Sequence, residues 1–175
     1  MFLMTLFGEE KKRTKLEKLY HKHKKRMFWE AYKVLSDKSL SEDAVSESFY
    51  RVAGHLDKLD EKEYSKNASF LTTVCRNIAI NIKKKHSKEI LDGDMANLPD
   101  IKENAEDIVI EGESVRELAD LIKSLKPVYR DVIILKYAHG LKNEEIAKLL
   151  EISIHAVEKR ISRAKGELSK KLQRS

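Results

Sequence analysis

Residues 143–165 read NEEIAKLLEISIHAVEKRISRAK, and their spacing predicts a helix, a tight turn and a second helix. Asn143 is a favourable N-cap, and Glu144 and Glu145 set negative charge against the positive end of the helix dipole. Ile146, Ala147 and Leu150 fall on one face. A break is expected near Glu151, with Ile152 turning back into the core and Ser153 capping the next helix. There Val157, Ile161 and Ala164 recur at helical spacing, which leaves Lys159, Arg160, Arg163 and Lys165 facing outward. A helix of this diameter and charge fits the DNA major groove. The plainer alternative is a helical hairpin with a solvated basic face. Cap, turn, core spacing and charge all agree on the groove.

Working upstream, Val115, Leu118, Ala119 and Ile122 predict a helix from about Glu113. Pro127 suits the first turn of the next helix, buried by Val128, Val132, Ile133 and Leu135, and Gly140 is placed to end it as a left-handed cap. Residues 113–175 thus form one small helical domain containing the helix-turn-helix. Residues 87–112 lose periodicity and carry Gly93, Pro99 and eight acids, which reads as a flexible acidic linker. Residues 1–86 read as another helical domain of three helices. The first runs over 15–36, with Leu16, Leu19, Tyr20, His23, Met27, Ala31 and Leu35 inward. The second is capped by Ser39 or Ser41 and buries Val45, Phe49, Val52, Ala53 and Leu56. A polar loop over 57–67 precedes the third, whose core face is Phe70, Leu71, Val74, Ile78 and Ile82. The fold class is therefore all-α: two small helical domains joined by an acidic linker.

Charge follows the same division. Residues 1–86 carry 19 basic and 12 acidic side chains, residues 87–112 carry 2 and 8, and residues 113–175 carry 14 and 9. Two basic blocks around an acidic connector point to a polyanion touched at two places. The single Cys75 rules out an internal disulfide and reads as a small buried hydrophobe. No apolar run approaches the roughly 18 residues of a membrane span, and the N-terminal MFLMTLF is too short for a signal-peptide core. Of six histidines only His21 and His23 lie close together, without metal-ligand partners, and they are expected to split between surface and core. No Gly-rich phosphate loop or nucleophile elbow is present, so neither enzyme activity nor a metal or cofactor is expected.

The third helix offers a second candidate surface. Arg76, Asn77, Lys83, Lys84 and Lys85 share a broad sector opposite Phe70, Val74 and Ile78. Asn pairs with base edges, while Arg and Lys neutralise phosphate. Tyr64 in the preceding loop is a candidate stacking platform for an unpaired base, with ordinary surface packing as the alternative.

Taken together, SEDAVSESFYRV (41–52), FLTTVCRNIAINIKKK (70–85) and LIKSLKPVYRDVIILKYAHGLKNEEIAKLLEISIHAVEKRISRAKGEL (121–168) resemble the sigma-70 family of bacterial transcription initiation factors, of the extracytoplasmic-function type. The resemblance covers roughly residues 16–172. It implies that Asp43, Val45, Glu47 and Phe49 dock on core RNA polymerase, and that Arg76 and Asn77, with Lys83 and Lys84, engage the −10 element. It further implies that the loop at 57–67, with Tyr64, captures a flipped base, at a cost of about a few kcal/mol of unstacking. Residues Ser153, His155, Glu158, Lys159, Arg160 and Arg163 would read the −35 element. The implied partners are core polymerase, promoter DNA and an anti-sigma protein, in the bacterial cytoplasm.

The sequence departs from the family at Ser46 (commonly Gln), Phe70 (commonly Trp), Asn81 (commonly Asp), Ala156 (commonly Thr) and Glu158 (commonly basic). The last two separate its promoter sequence from that of relatives. A stand-alone helix-turn-helix regulator is the alternative function, and a helical adaptor without nucleic acid is a third.

Overall fold

A computed structural model describes residues 10–90 and 113–173. The chain divides into two compact units, Met1–Glu103 and Asn104–Ser175, and no strand occurs among the described residues. The N-terminal MFLMTLF and all but the first four residues of the 87–112 connector lie outside the described residues.

The first unit is a three-helix bundle of α1 (Glu10–Leu35), α2 (Lys38–Val52) and α3 (Tyr64–Ile90), with a 3₁₀ segment at Ala53–Lys58. The turn between α1 and α2 is very short. Ser36 takes a left-handed conformation (φ 52°), and Asp37 caps α2 by accepting from the Leu40 N–H at 2.8 Å. Asp37, not Ser39 or Ser41, is therefore the N-cap; both serines lie inside the helix. Leu19, Met27 and Val34 of α1 meet Val45, Phe49 and Val52 of α2 and Phe70, Leu71, Val74 and Ile78 of α3 in a single core. Cys75 belongs to it, as expected. Its thiol lies 3.4 Å from the Met27 carbonyl, and burial pushes its pKa up to about 11, which leaves it unreactive.

The expected 57–67 loop is shorter in the structure. Leu59 is buried, and α3 already begins at Tyr64. Asp60 organises the turn: its side chain accepts from the Lys62 N–H at 3.0 Å, and its carbonyl accepts from the Asn67 side chain at 2.6 Å. Local side-chain to backbone bonds of this kind favour a tight turn over an open loop.

His21 is exposed and His23 is fully buried, the split expected from the sequence. The His23 ring packs on Tyr64 at 4.7 Å, and neither ring nitrogen has a hydrogen-bond partner among the described residues. Burial, helped by Lys22 and Arg26, lowers its pKa to about 4. Between pH 6.5 and about 4 the unfolded chain therefore binds a proton that the folded chain excludes. Stability is expected to fall as pH drops through that window, by about 1.4 kcal/mol per pH unit at most. His23→Phe should flatten this part of the profile in urea melts at pH 7 and pH 4.5. An unchanged profile would show that other groups set the acid response.

The second unit comprises α4 (Glu113–Lys123), α5 (Pro127–Ile133), α6 (Asn143–Leu150) and α7 (Ile154–Leu172). Pro127 stands at the start of α5, as its fixed φ predicts. That helix runs into a π-helical turn at Ile134–Ala138, and Gly140 (φ 66°) ends it; only a residue at ease with positive φ fits there. Val132, Leu135, Ile146, Leu150, Val157 and Ala164 form the core. On α4 the expected apolar face is only partly covered: Ala119 is buried but Leu118 is 46% exposed.

Candidate nucleic-acid interface

The helix-turn-helix forms as α6 and α7. Its start differs in one detail. Asn143 is the first residue of α6, and its Oδ1 accepts from Lys136 Nζ at 2.6 Å, so it ties the helix to the π-helical turn rather than capping it. The capping contact is made by Glu145, which reaches back to the Lys142 N–H at 2.7 Å. Glu151 adopts the left-handed conformation (φ 53°) that ends α6, and the Ile152 N–H donates to the Ala147 carbonyl at 3.0 Å. Ser153 then caps α7, accepting from the Ala156 N–H at 3.1 Å. Val157, Ile161 and Ala164 are buried, as expected.

The outward face of α7 carries Ser153, His155, Glu158, Lys159, Arg163 and Lys165, all exposed. Arg163 donates to the Tyr129 hydroxyl at 3.4 Å, and Lys165 lies 5.6 Å from the Tyr137 ring. Arg160 is a correction. It was expected to face solvent but is half-buried against α5. Burial lowers its pKa, opposed by the charge of buried Asp131 and by Tyr129.

On α3 the correction is larger. Arg76 and Asn77, expected on an open polar face, are only 6% and 8% exposed. Asn77 donates from its amide to the Thr73 carbonyl at 2.8 Å. Both α1 and α2 pack against α3, so every residue from Thr73 to Ala79 is buried and no open sector remains at that level. Beyond it Lys83, Lys84 and Lys85 are exposed, and Lys83 donates to the Val34 carbonyl at 2.9 Å, closing the end of α1. Tyr64, the first residue of α3, has its ring against His23, with Lys22 Nζ 5.1 Å from its centroid. The residue is nonetheless 41% exposed.

On α2, Val45 and Phe49 are core residues, and Phe49 packs edge-on against Tyr20 at 5.2 Å. They are not available for docking. Asp43 is exposed, and half-buried Glu47 accepts from Arg51 at 2.7 Å. The true outward face of α2 is Glu42, Asp43, Ser46 and Tyr50; Tyr50, 51% exposed, was missed because an aromatic reads as core.

Comparison with known proteins places these units. Residues 19–89 match the family model described as Sigma-70 region 2, and residues 115–168 match Sigma-70, region 4. The ECF RNA polymerase sigma factor SigW of Bacillus subtilis is 28% identical over 160 residues, covering 86% of this chain and 84% of that one. SigM of the same organism is 26% identical over 139 residues, covering 79% and 83%. The "Probable RNA polymerase sigma factor RfaY" of Xanthomonas campestris is 28% identical over 150 residues, covering 81% of this chain but spanning only 36% of that protein's length. The solved complex of the sigma factor RpoE with the anti-sigma factor NepR from Bartonella quintana aligns over 85% of this chain and 90% of that one at 19% identity, with a TM-score of 0.36.

Proposed function

Because this chain belongs to the sigma-70 family, we propose that it is an alternative sigma factor of the extracytoplasmic-function type, which joins core RNA polymerase and directs it to a small set of promoters. The observation that carries this reading is α7, anchored by Val157, Ile161 and Ala164 so that its charged residues point away from the domain. In the major groove of an upstream element, Lys159 and Arg163 would neutralise phosphate, while His155 and Glu158 face base edges. Glu158 suits the amino group of a cytosine.

The first unit supplies the other contacts in this reading. Asp43 and Glu47, joined by exposed Ser46 and Tyr50, dock on polymerase. Lys84 and Lys85 follow the phosphates of the downstream element. Arg76 and Asn77 act from the interior by holding α3 in place. RNA synthesis belongs to polymerase, and the chain contributes recognition. An anti-sigma protein that covers both basic faces completes the scheme, in the bacterial cytoplasm. Among the described residues no helix is long and apolar enough to cross a membrane.

Run-off transcription with purified core polymerase on sheared DNA of the same genome tests the reading. Discrete transcripts that need both components are the expected result. Footprinting of duplex DNA by the chain alone, with no such transcripts, would move the assignment to a stand-alone regulator.

A further inference from the structure

Along the outward side of α1 runs a strip of rings and lysines that has no role in promoter reading. At 100° per residue, Lys18, Lys22, Lys25, Tyr32 and Lys33 all fall within about 60° of Trp29, and all six are exposed. The acids of α1 lie outside the strip: Glu10, Glu17 and Glu30 are each about 100° or more away from Trp29. Glu61 reaches Lys18 at 3.2 Å and Glu30 reaches Lys33 at 2.7 Å, while Lys22 and Lys25 form no ion pair among the described residues. Trp29 is 52% exposed and Tyr32 is 38% exposed. Half-buried Phe28 stacks on Tyr32 with centroids 5.8 Å apart and planes 19° apart, and Trp29 meets both edge-on at 5.4 Å and 5.7 Å. Large rings gathered in one water-facing patch, rather than scattered singly, mark a surface that meets a partner.

The chemistry of the strip selects that partner. Trp and Tyr join an apolar body to a polar N–H or O–H, which suits the boundary between lipid hydrocarbon and headgroup. Lysine carries its charge on a flexible apolar stem that reaches anionic headgroups while neighbouring rings go deeper. A protein partner fits less well, because protein interfaces favour Arg and are depleted in Lys, and the strip has four lysines. Stacking of bases fits less well too, since Phe28 and Tyr32 already occupy one face of each other. Insertion among headgroups needs the body and edge of a ring rather than two free faces. The opposite side of α1 is committed to the core through Met27, Ala31 and Val34, so the helix can lie on a bilayer but not enter it.

We propose that this strip of α1 docks the chain reversibly on an anionic phospholipid membrane, with Trp29 and Tyr32 at headgroup level and Lys22 and Lys25 on the lipid phosphates. Docking is peripheral and salt-sensitive, because charge supplies much of the attraction. The proposal stands on ring geometry and charge, and holds whether or not the chain reads promoters.

Trp29 is the only tryptophan of the chain, so its fluorescence reports on the strip directly. The full chain is titrated with vesicles of phosphatidylglycerol and phosphatidylcholine in equal parts and, separately, with phosphatidylcholine alone. A blue shift of Trp29 emission with the anionic vesicles, and none with the neutral ones, is expected. Vesicle flotation should show binding weakened roughly tenfold or more in the Trp29→Ala, Tyr32→Ala double variant, which loses both interfacial rings. Lys25→Glu should weaken it by roughly fivefold or more, the usual contribution of one cation near such a surface. Lys24→Glu makes the same charge change on the other side of α1, where Lys24 lies 5.1 Å from the Tyr20 ring, and should weaken binding far less. Far-UV circular dichroism confirms that the variants stay folded. No shift with anionic vesicles, a double variant that floats like the parent, or equal effects of Lys24→Glu and Lys25→Glu overturns the proposal. A shift with a dT12 oligonucleotide in place of vesicles would assign the strip to nucleic acid. Shielding of Trp29 from acrylamide by core polymerase alone would assign it to a protein.

Discussion

Phe49→Ala is expected to destabilise the first unit by about 3–5 kcal/mol, the range for truncating a buried aromatic. The ring is 1% exposed and sits between α1 and α2 against Tyr20. Small helical bundles hold only about 5–15 kcal/mol in total, so this one change can unfold much of the population. Polymerase binding should be lost along with the fold. Tyr50→Ala is the matching control. Its side chain is 51% exposed, and truncation should shift stability by no more than about 0.5 kcal/mol while weakening capture of core polymerase. Urea melts and polymerase pull-down of both variants separate the two roles. A Phe49→Ala protein as stable as the parent would show that the ring packs less tightly than its burial indicates.

The second large effect divides two arginines that the sequence makes look alike. Arg160→Ala should destabilise the second unit by about 1–3 kcal/mol, because it removes a cation whose charge acts on buried Asp131. Arg163 is exposed and makes one long bond to Tyr129, so Arg163→Ala should leave the melting temperature almost unchanged. Its loss should instead appear on promoter DNA, with the log–log salt slope of holoenzyme binding reduced by about 0.9 for one phosphate contact. Equal melting temperatures for the two variants would remove the structural role assigned to Arg160. An unchanged slope in Arg163→Ala would count against groove docking by this face of α7.

The helix-turn-helix was legible because its signals are local. Ser153 caps α7, Gly140 takes the positive φ that ends the preceding helix, and Val157, Ile161 and Ala164 keep helical spacing. Each of these depends on a few neighbouring residues. The cap of α2 was missed because Asp37, Ser39 and Ser41 are all competent N-caps, and the choice depends on how tightly α1 turns into α2. Asn143 was misassigned for a similar reason: Lys136, seven residues earlier, claims its side chain.

The sequence alone determined an all-α chain, its two basic regions, the identity of most core positions and the buried state of Cys75 and His23. Tertiary structure alone decided which polar and aromatic residues reach the surface. Periodicity reveals one apolar stripe per helix, but α3 is covered by two neighbours, so Arg76 and Asn77 are buried on what looked like its wet side. The outward face of α1 shows the reverse case. Trp29 and Tyr32 have core-like side chains, yet no helix among the described residues of the first unit buries them, and burial depends on what lies opposite rather than on residue type.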